Sequence, residues 1–171
     1  MDLLVVTLRL VHVVFGALWV GMAVYTAIFL MPAVQDAGPD GGKVMAALQR
    51  RGIMTVLPVL ALGTLVTGLW LYWRVSAGFQ SAYLTSGPGA AFGLGGLASI
   101  LAYAVGMLTM RPTMMRVTGL SQRLGAAATE ADRARLVTEI QRLRVRGSLT
   151  GRLVAWLLVF SVSAMAVARY L

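Results

Sequence analysis

The two residues of this chain with the most capacity for chemistry are His12 and Arg9. His12 is the only histidine among 171 residues, and Arg9 precedes it by three positions, which places both on one face of a helix. An imidazole can ligate a haem iron while a guanidinium pairs with a haem propionate. The pair is therefore a candidate cofactor site for haem b. A proton relay and a structural histidine bonded to a carbonyl are the alternatives, and we favour the structural role.

No other set of residues predicts chemistry. The chain has no cysteine, which excludes disulfides, thiolate metal sites and cysteine nucleophiles. The acidic residues lie in the tails or between the apolar stretches, where they cannot supply acid–base chemistry or ion coupling inside a membrane span. They are Asp2, Asp36, Asp40, Glu130, Asp132 and Glu139. We therefore expect a non-enzymatic protein with no catalytic residues and no metal site.

Four stretches of the chain contain no Asp, Glu, Lys or Arg, and the first of them includes His12. They cover 10–31, 53–73, 88–110 and 153–168, and ~20 apolar helical residues are enough to cross a hydrocarbon core about 30 Å thick. The pattern predicts an all-α membrane protein in which residues 1–171 form a single transmembrane domain. We expect four transmembrane helices in an antiparallel bundle, with spans at about 4–31, 53–73, 88–110 and 150–170. Pro32 is expected to end the first helix.

The positive charges predict the orientation of these spans. Twelve of the fifteen Lys and Arg residues fall in the two segments that follow the first and third spans. Short positive loops stay cytoplasmic, so both termini are expected on the periplasmic side of a bacterial inner membrane. Trp70, Tyr72 and Trp73 then mark the outer water–lipid boundary, which aromatic rings prefer. The net charge of +9 is therefore attributed to topology, and no nucleic-acid partner is expected.

The segment 112–148 has the pattern of a basic amphipathic region. Leu136, Val137, Ile140 and Leu143 recur at helical spacing, which favours short amphipathic helices on the cytoplasmic side. The remaining faces carry Arg133, Arg135, Arg142, Arg144 and Arg146. Such a helix suits the anionic inner leaflet. A platform for a protein partner and a solvated connector between two spans are the alternatives.

The third span is unusually rich in small residues, which let helix backbones approach closely in lipid. One of its faces carries Gly89, Gly93 and Gly96, and another carries Ala91, Gly95, Ala98, Ala102 and Gly106. Thr64 and Gly68 on the second span, with Ala164 and Ala168 on the fourth, offer matching surfaces. We expect these faces to pack the bundle itself, and docking of another protein is the alternative.

The first helix carries a family resemblance. The run Leu-Val-His-Val-Val-Phe-Gly-Ala-Leu-Trp-Val-Gly at 10–21, followed by Pro32, resembles the opening helix of the copper-resistance-D-like superfamily. It is similar also to related uncharacterised four-helix bacterial integral membrane proteins. The resemblance implies a four-span layout in which histidines of several helices serve metal or haem. Only His12 matches that pattern here.

Two functions are consistent with these observations. The first is a non-enzymatic accessory subunit that packs against a larger photosynthetic or respiratory membrane complex, with membrane lipids and other integral membrane subunits as partners. The second is a small membrane protein that binds haem or metal through His12, as a homodimer that doubles the number of ligands. Lipid or pigment bound in grooves of the bundle is compatible with both.

Overall fold

The computed structural model describes residues 2–171, apart from the side chain of Pro39, and these residues form helices and no strand. In chain order the elements are α1 (Leu3–Tyr25), a π-helical turn (Thr26–Leu30), α2 (Met31–Asp36), α3 (Pro39–Arg50), α4 (Ile53–Val75), α5 (Ser81–Leu84), α6 (Gly87–Val105), a second π-helical turn (Gly106–Met110), α7 (Arg111–Gly125), α8 (Glu130–Val167) and a 3₁₀ turn (Ala168–Tyr170). Four continuous helical stretches are long and apolar enough to span a membrane: Leu3–Asp36, Ile53–Val75, Gly87–Gly125 and Glu130–Tyr170. The prediction of an all-helical chain with four such helices is confirmed.

Polar side chains begin three of the long helices. The Asp2 carboxylate accepts a hydrogen bond from the Leu4 backbone N–H at 3.1 Å, and the Ser86 hydroxyl accepts one from the Gly89 N–H at 3.2 Å. The Thr129 hydroxyl accepts a bond from the Asp132 N–H at 3.1 Å, at the start of α8. Each cap satisfies a backbone donor that has no partner within its own helix.

The two π-helical turns carry the chain through prolines. The Met31 N–H bonds to the Thr26 oxygen five residues earlier, just before Pro32. The Arg111 N–H bonds in the same way to the Gly106 oxygen, just before Pro112. A proline ring lacks an N–H and crowds the carbonyl four residues earlier, and a widened turn relieves that conflict. The expectation that the first helix ends at Pro32 is therefore wrong, because helical geometry continues to Asp36.

The segment 112–148 does not fold as separate short helices. It is the end of the 39-residue stretch Gly87–Gly125 and the beginning of the 41-residue stretch Glu130–Tyr170. At 1.5 Å per residue these stretches are about 58 and 61 Å long, roughly twice the hydrocarbon thickness of a bilayer. The start of α8 packs against α7, and Ile140 is only 5% exposed. Ile140 is therefore covered by other residues of the protein.

The long helices contact one another in a cyclic order. Helix α1 packs against α4 and α8, and α6 packs against α4 and α8. The buried core between them consists of Trp19, Ala61, Ala102, Val154 and Leu158. Ser99 of α6 and Ser161 of α8 share a buried hydrogen bond of 2.7 Å. Close helix contacts and one buried polar pair therefore hold this core together.

The contact between α6 and α8 predicts a difference between neighbouring glycines. A Cβ at Gly95 would lie 3.0 Å from both the Ser161 backbone oxygen and the Met165 Cγ, whereas one at Gly96 meets nothing within 4 Å. Gly95→Ala should therefore lower the free energy of unfolding by ~1–3 kcal/mol relative to Gly96→Ala, since overpacking forces neighbouring atoms apart. Thermal unfolding of both variants in the same detergent measures this. Equal melting temperatures would show that α6 and α8 do not meet at Gly95.

Candidate functional site

His12 joins α1 to α4 through a hydrogen bond to a backbone carbonyl. Its Nδ1 lies 2.9 Å from the Thr64 oxygen. Because a carbonyl oxygen can only accept, Nδ1 is the donor in this hydrogen bond. The Thr67 hydroxyl lies 3.4 Å from the same Nδ1 and donates to the Gly63 oxygen at 2.7 Å. This hydrogen bond ties the ring to α4 and leaves Nε2 as the ring nitrogen able to bind a ligand, an arrangement that suits a packing histidine and a ligating histidine alike.

The α4 helix is shaped to receive the side chains of α1. A Cβ at Gly68 would lie 2.6 Å from the His12 Cε1, and one at Gly63 would lie 2.6 Å from the Phe15 ring. Thr64 is 7% exposed, with its methyl group 3.4 Å from the Cβ position of Gly16. Thr64 and Gly68, predicted as helix-packing residues, therefore both contact α1.

Arg9 lies three residues before His12 on α1. Its side chain is exposed and forms no ion pair among the described residues. The ion pair at this end of the molecule joins Asp2 to Arg74 at 3.9 Å. Within residues 2–171 no three His, Cys, Asp or Glu residues lie together as metal ligands. Because His12 is the only histidine of the chain, a haem held by two imidazoles would need His12 from a second copy.

The small residues of α6 have different environments. Ala91, Ala98 and Ala102 are buried together with Gly95. Gly89 accepts a 2.8 Å hydrogen bond through its carbonyl from the Tyr72 hydroxyl, which also lies 3.0 Å from the Cβ position of Gly93. By contrast, a Cβ at Gly96 or Gly106 meets nothing within 4 Å. The packing of this chain therefore makes no demand for glycine at those two positions.

The aromatic residues at the end of α4 divide between two roles. The Tyr72 ring packs against Phe79 and Tyr83 at centroid distances of 6.0 and 6.3 Å, which ties α4 to the connection that leads into α6. The Trp70 and Trp73 rings lie 6.4 Å apart, and Trp73 is 46% exposed. Tyr72 is thus a packing residue, while Trp73 is available to the surroundings.

The five predicted arginines of α8 are also not equivalent. The side chains of Arg133, Arg135, Arg142 and Arg146 are exposed. Arg133 pairs with Glu130 at 3.5 Å on the surface, an interaction that contributes little to stability. Arg144 is half-buried and lines a large cavity. Arg144 is thus the one of these five arginines that is not fully exposed to the surroundings.

The cavity has a volume of about 770 Å³ and lies between the α2–α3 region, the beginning of α4, the second π-helical turn with α7, and α8. Its lining reaches the core residues Trp19, Ala61, Ala102 and Val154. Both π-helical turns contribute to its wall, through Thr26–Leu30 and Gly106–Met110. This volume is within the range of ligand-binding pockets.

Sequence reasoning did not predict this cavity. Six of the ten methionines line it: Met31, Met45, Met54, Met107, Met110 and Met114. In sequence these residues are scattered and resemble packing filler. The available signal was the pair of prolines, Pro32 and Pro112, which close the first and third apolar stretches at corresponding points. A π-helical turn beside each proline forms part of the cavity wall.

No family model, no curated protein and no solved structure matches this chain. The resemblance of α1 to the copper-resistance-D-like superfamily accordingly remains an expectation. Two features of the structure bear on function: the hydrogen bond of His12 to α4, and the cavity lined mainly by apolar residues.

The fit between His12 and Gly68 predicts an energetic coupling. Gly68→Ala should destabilise the protein, because its methyl group would meet the imidazole at 2.6 Å. The same substitution should cost less in a His12→Ala background, which gives a coupling of ~0.5–3 kcal/mol in a double-mutant cycle. Thermal unfolding of the four proteins in detergent measures it. Zero coupling, together with a Soret absorption band that His12→Ala removes, would instead assign the imidazole to haem.

Proposed function

We propose that the chain is an integral membrane protein with four antiparallel spans and both termini on the periplasmic side of a bacterial inner membrane. Contacts between the ends of the helices support the antiparallel order. Asp2 pairs with Arg74, and the Cβ position of Gly87 lies 3.0 Å from Leu171. At the opposite end, the Gln49 amide donates a 2.9 Å hydrogen bond to the Thr118 hydroxyl.

The charges of these two ends support the orientation. The end with the termini carries Arg9, Arg74 and Arg169, whereas the other twelve Lys and Arg residues belong to segments at the opposite end. Positive residues that flank spans are retained in the cytoplasm. The apolar exterior of α1, α4, α6 and α8 supports lipid as its solvent, because large exposed apolar side chains occur on each of these helices.

Within the membrane, we propose the role of a non-enzymatic accessory subunit that packs against a larger respiratory or photosynthetic complex. The observation that carries this proposal is an apolar stripe along one exposed side of α8. The stripe comprises Val145, Leu149, Leu153, Trp156, Phe160 and Val167, which are 58%, 62%, 50%, 72%, 52% and 50% exposed. Their spacing of three, four or seven residues is that of a helix-packing surface.

The stripe extends beyond the part of α8 that lipid would cover. The charge-free stretch begins at Leu153, and Val145 lies eight residues before it, about 12 Å along the helix axis. Exposed arginines, Arg142 and Arg146, flank Val145. Lipid chains are therefore a poor cover for this part of the stripe, and a helix of another subunit is a better one. Trp156 is suited to be its anchor, since tryptophan is enriched among residues that dominate binding energy.

The chemistry of the described residues is consistent with this role. They bring together no cluster of metal-ligating side chains, and the half-buried histidine is engaged with α4. A subunit that acts by packing needs helix surfaces rather than a catalytic site. The long rods formed by α6–α7 and α8 extend such surfaces past the membrane into the cytoplasm.

The proposed orientation predicts the activity of reporters at the two ends. A periplasm-dependent reporter enzyme such as alkaline phosphatase should be active when fused after Leu171 and inactive when inserted at 126–129, between α7 and α8. Enzyme activity normalised to the amount of fusion protein measures this. A cytoplasm-dependent reporter at the same two positions is the matched control. The opposite pattern in both assays would reverse the orientation.

The stripe predicts which substitution releases the chain from its complex. Trp156→Ala should reduce co-migration with a larger assembly by tenfold or more on native gels after gentle solubilisation, because truncating an anchor residue typically costs at least ~2 kcal/mol. Trp73→Ala is the matched control, since Trp73 is exposed at the other end of the bundle. Mass spectrometry of the band should identify respiratory or photosynthetic subunits. Free migration of the native protein, or an assembly made of this chain alone, would contradict the accessory role.

A further inference from the structure

The cavity between the two π-helical turns is apolar at its inner end and polar at its other end, as the binding of an amphiphile requires. Its inner wall is apolar, formed by Trp19, Ala61, Ala102 and Val154 of the core. The flexible thioethers of six methionines line the space beyond them, and such side chains adapt to ligands of variable shape. This part of the cavity fits a hydrocarbon chain.

Polar groups line the cavity where it leaves the apolar stretches. They include the amides of Gln35, Gln122 and Gln141 and the hydroxyl of Ser121. The Gln49–Thr118 hydrogen bond joins α3 to α7 across this region. A ligand with an apolar chain inside and a polar headgroup at this end would find partners for both of its parts.

The charge of the lining selects the headgroup. The lining includes Lys43, Arg111 and Arg144 and contains no Asp or Glu. Lys43 is already paired with Asp40 at 2.7 Å. Arg111 and Arg144 have no carboxylate within 4.0 Å among the described residues. These two guanidinium groups leave a local positive charge, which favours an anionic headgroup.

The position of Arg111 matches that of lipid phosphates, and Arg144 lines the same cavity farther from the apolar stretches. Arg111 is the first charged residue after the third apolar stretch, so in the proposed topology it lies at the cytoplasmic boundary of the hydrocarbon. Basic pockets between transmembrane helices on this side are suited to anionic lipid headgroups. We propose that the cavity binds one anionic phospholipid of the inner leaflet, with an acyl chain between the π-helical turns, the phosphate at Arg111, and Arg144 as a second positive charge that attracts the headgroup. This inference depends on the proposed topology but not on the partner complex.

Trp19 provides a probe of the cavity. It lines the cavity and is only 6% exposed, so bulk lipid outside the bundle has little access to it. A variant with Trp70, Trp73 and Trp156 replaced by Phe leaves Trp19 as the only tryptophan. Phosphatidylglycerol with brominated acyl chains, added to this variant in detergent, should quench its fluorescence in a saturable manner. Brominated phosphatidylcholine should quench it at least fivefold less effectively.

Matched variants identify the headgroup site. Arg144→Gln should weaken phosphatidylglycerol quenching of Trp19 by about fivefold, as expected for the loss of one basic residue near an anionic lipid. Arg146→Gln removes the same charge from an exposed residue of the same helix that does not line the cavity, and it should leave the quenching unchanged. A variant that keeps only Trp156, which is 72% exposed, should be quenched equally by both lipids.

Three outcomes would overturn the proposal. Quenching of Trp19 by neither lipid would show that no acyl chain enters the cavity. Equal quenching by both lipids would show that the headgroup charge is not recognised, and equal effects of Arg144→Gln and Arg146→Gln would place recognition elsewhere. A reversed topology would be revealed independently by the reporter fusions, and a failed partner interaction by Trp156→Ala, so that either failure is distinguishable from an empty cavity.

Discussion

In a chain whose helices present apolar surfaces outward, backbone and side-chain polar groups must find partners within the protein, because hydrocarbon offers none. The described residues meet this constraint, since no buried side-chain nitrogen or oxygen lacks a hydrogen-bond partner. Hydroxyl groups on the helices bond to carbonyls one turn earlier, as Thr64 does to Leu60 and Thr67 to Gly63. Ser99 and Ser161 satisfy each other between helices. The same constraint accounts for His12, whose only polar partners are groups on α4.

A proline follows each of the two π-helical turns that line the cavity. At Pro32 and Pro112 a regular helix would lose a hydrogen bond and suffer a steric conflict. The chain responds with a π-helical turn before each proline and continues as a helix. Both turns lie on the wall of the same cavity, together with the narrow core around Trp19. The two π-helical turns thus lie beside a cavity that is large enough for a ligand.

The proposed functions use different surfaces of one framework. The stripe on α8 faces outward and is suited to a helix of another subunit, whereas the cavity faces inward and is suited to a lipid chain. Helix α8 contributes to both, through Trp156 on its exposed side and Arg144 on the cavity wall. An anionic lipid held in the cavity would stabilise the association of α3, α7 and α8, because a ligand that binds only the folded protein stabilises it. The partner surface and the lipid site would then be linked through α8.

The sequence by itself determined the class of the fold, because long charge-free stretches of this length are stable only as helices with an apolar environment. It also identified Thr64, Gly68 and Gly95 as sites of close helix contact, since small residues at helical spacing have few other roles in such segments. The tertiary structure alone decided three further points. It showed which glycines are needed for contact, because α8 lies against Gly95 whereas a Cβ at Gly96 would meet nothing within 4 Å. It converted the predicted surface helices into extensions of α6 and α8, because burial of Ile140 depends on pairing between distant segments. It also assembled the cavity from α2–α3, α4, α7 and α8. The sequence could not predict this cavity, because contacts between residues far apart in sequence produce no local pattern.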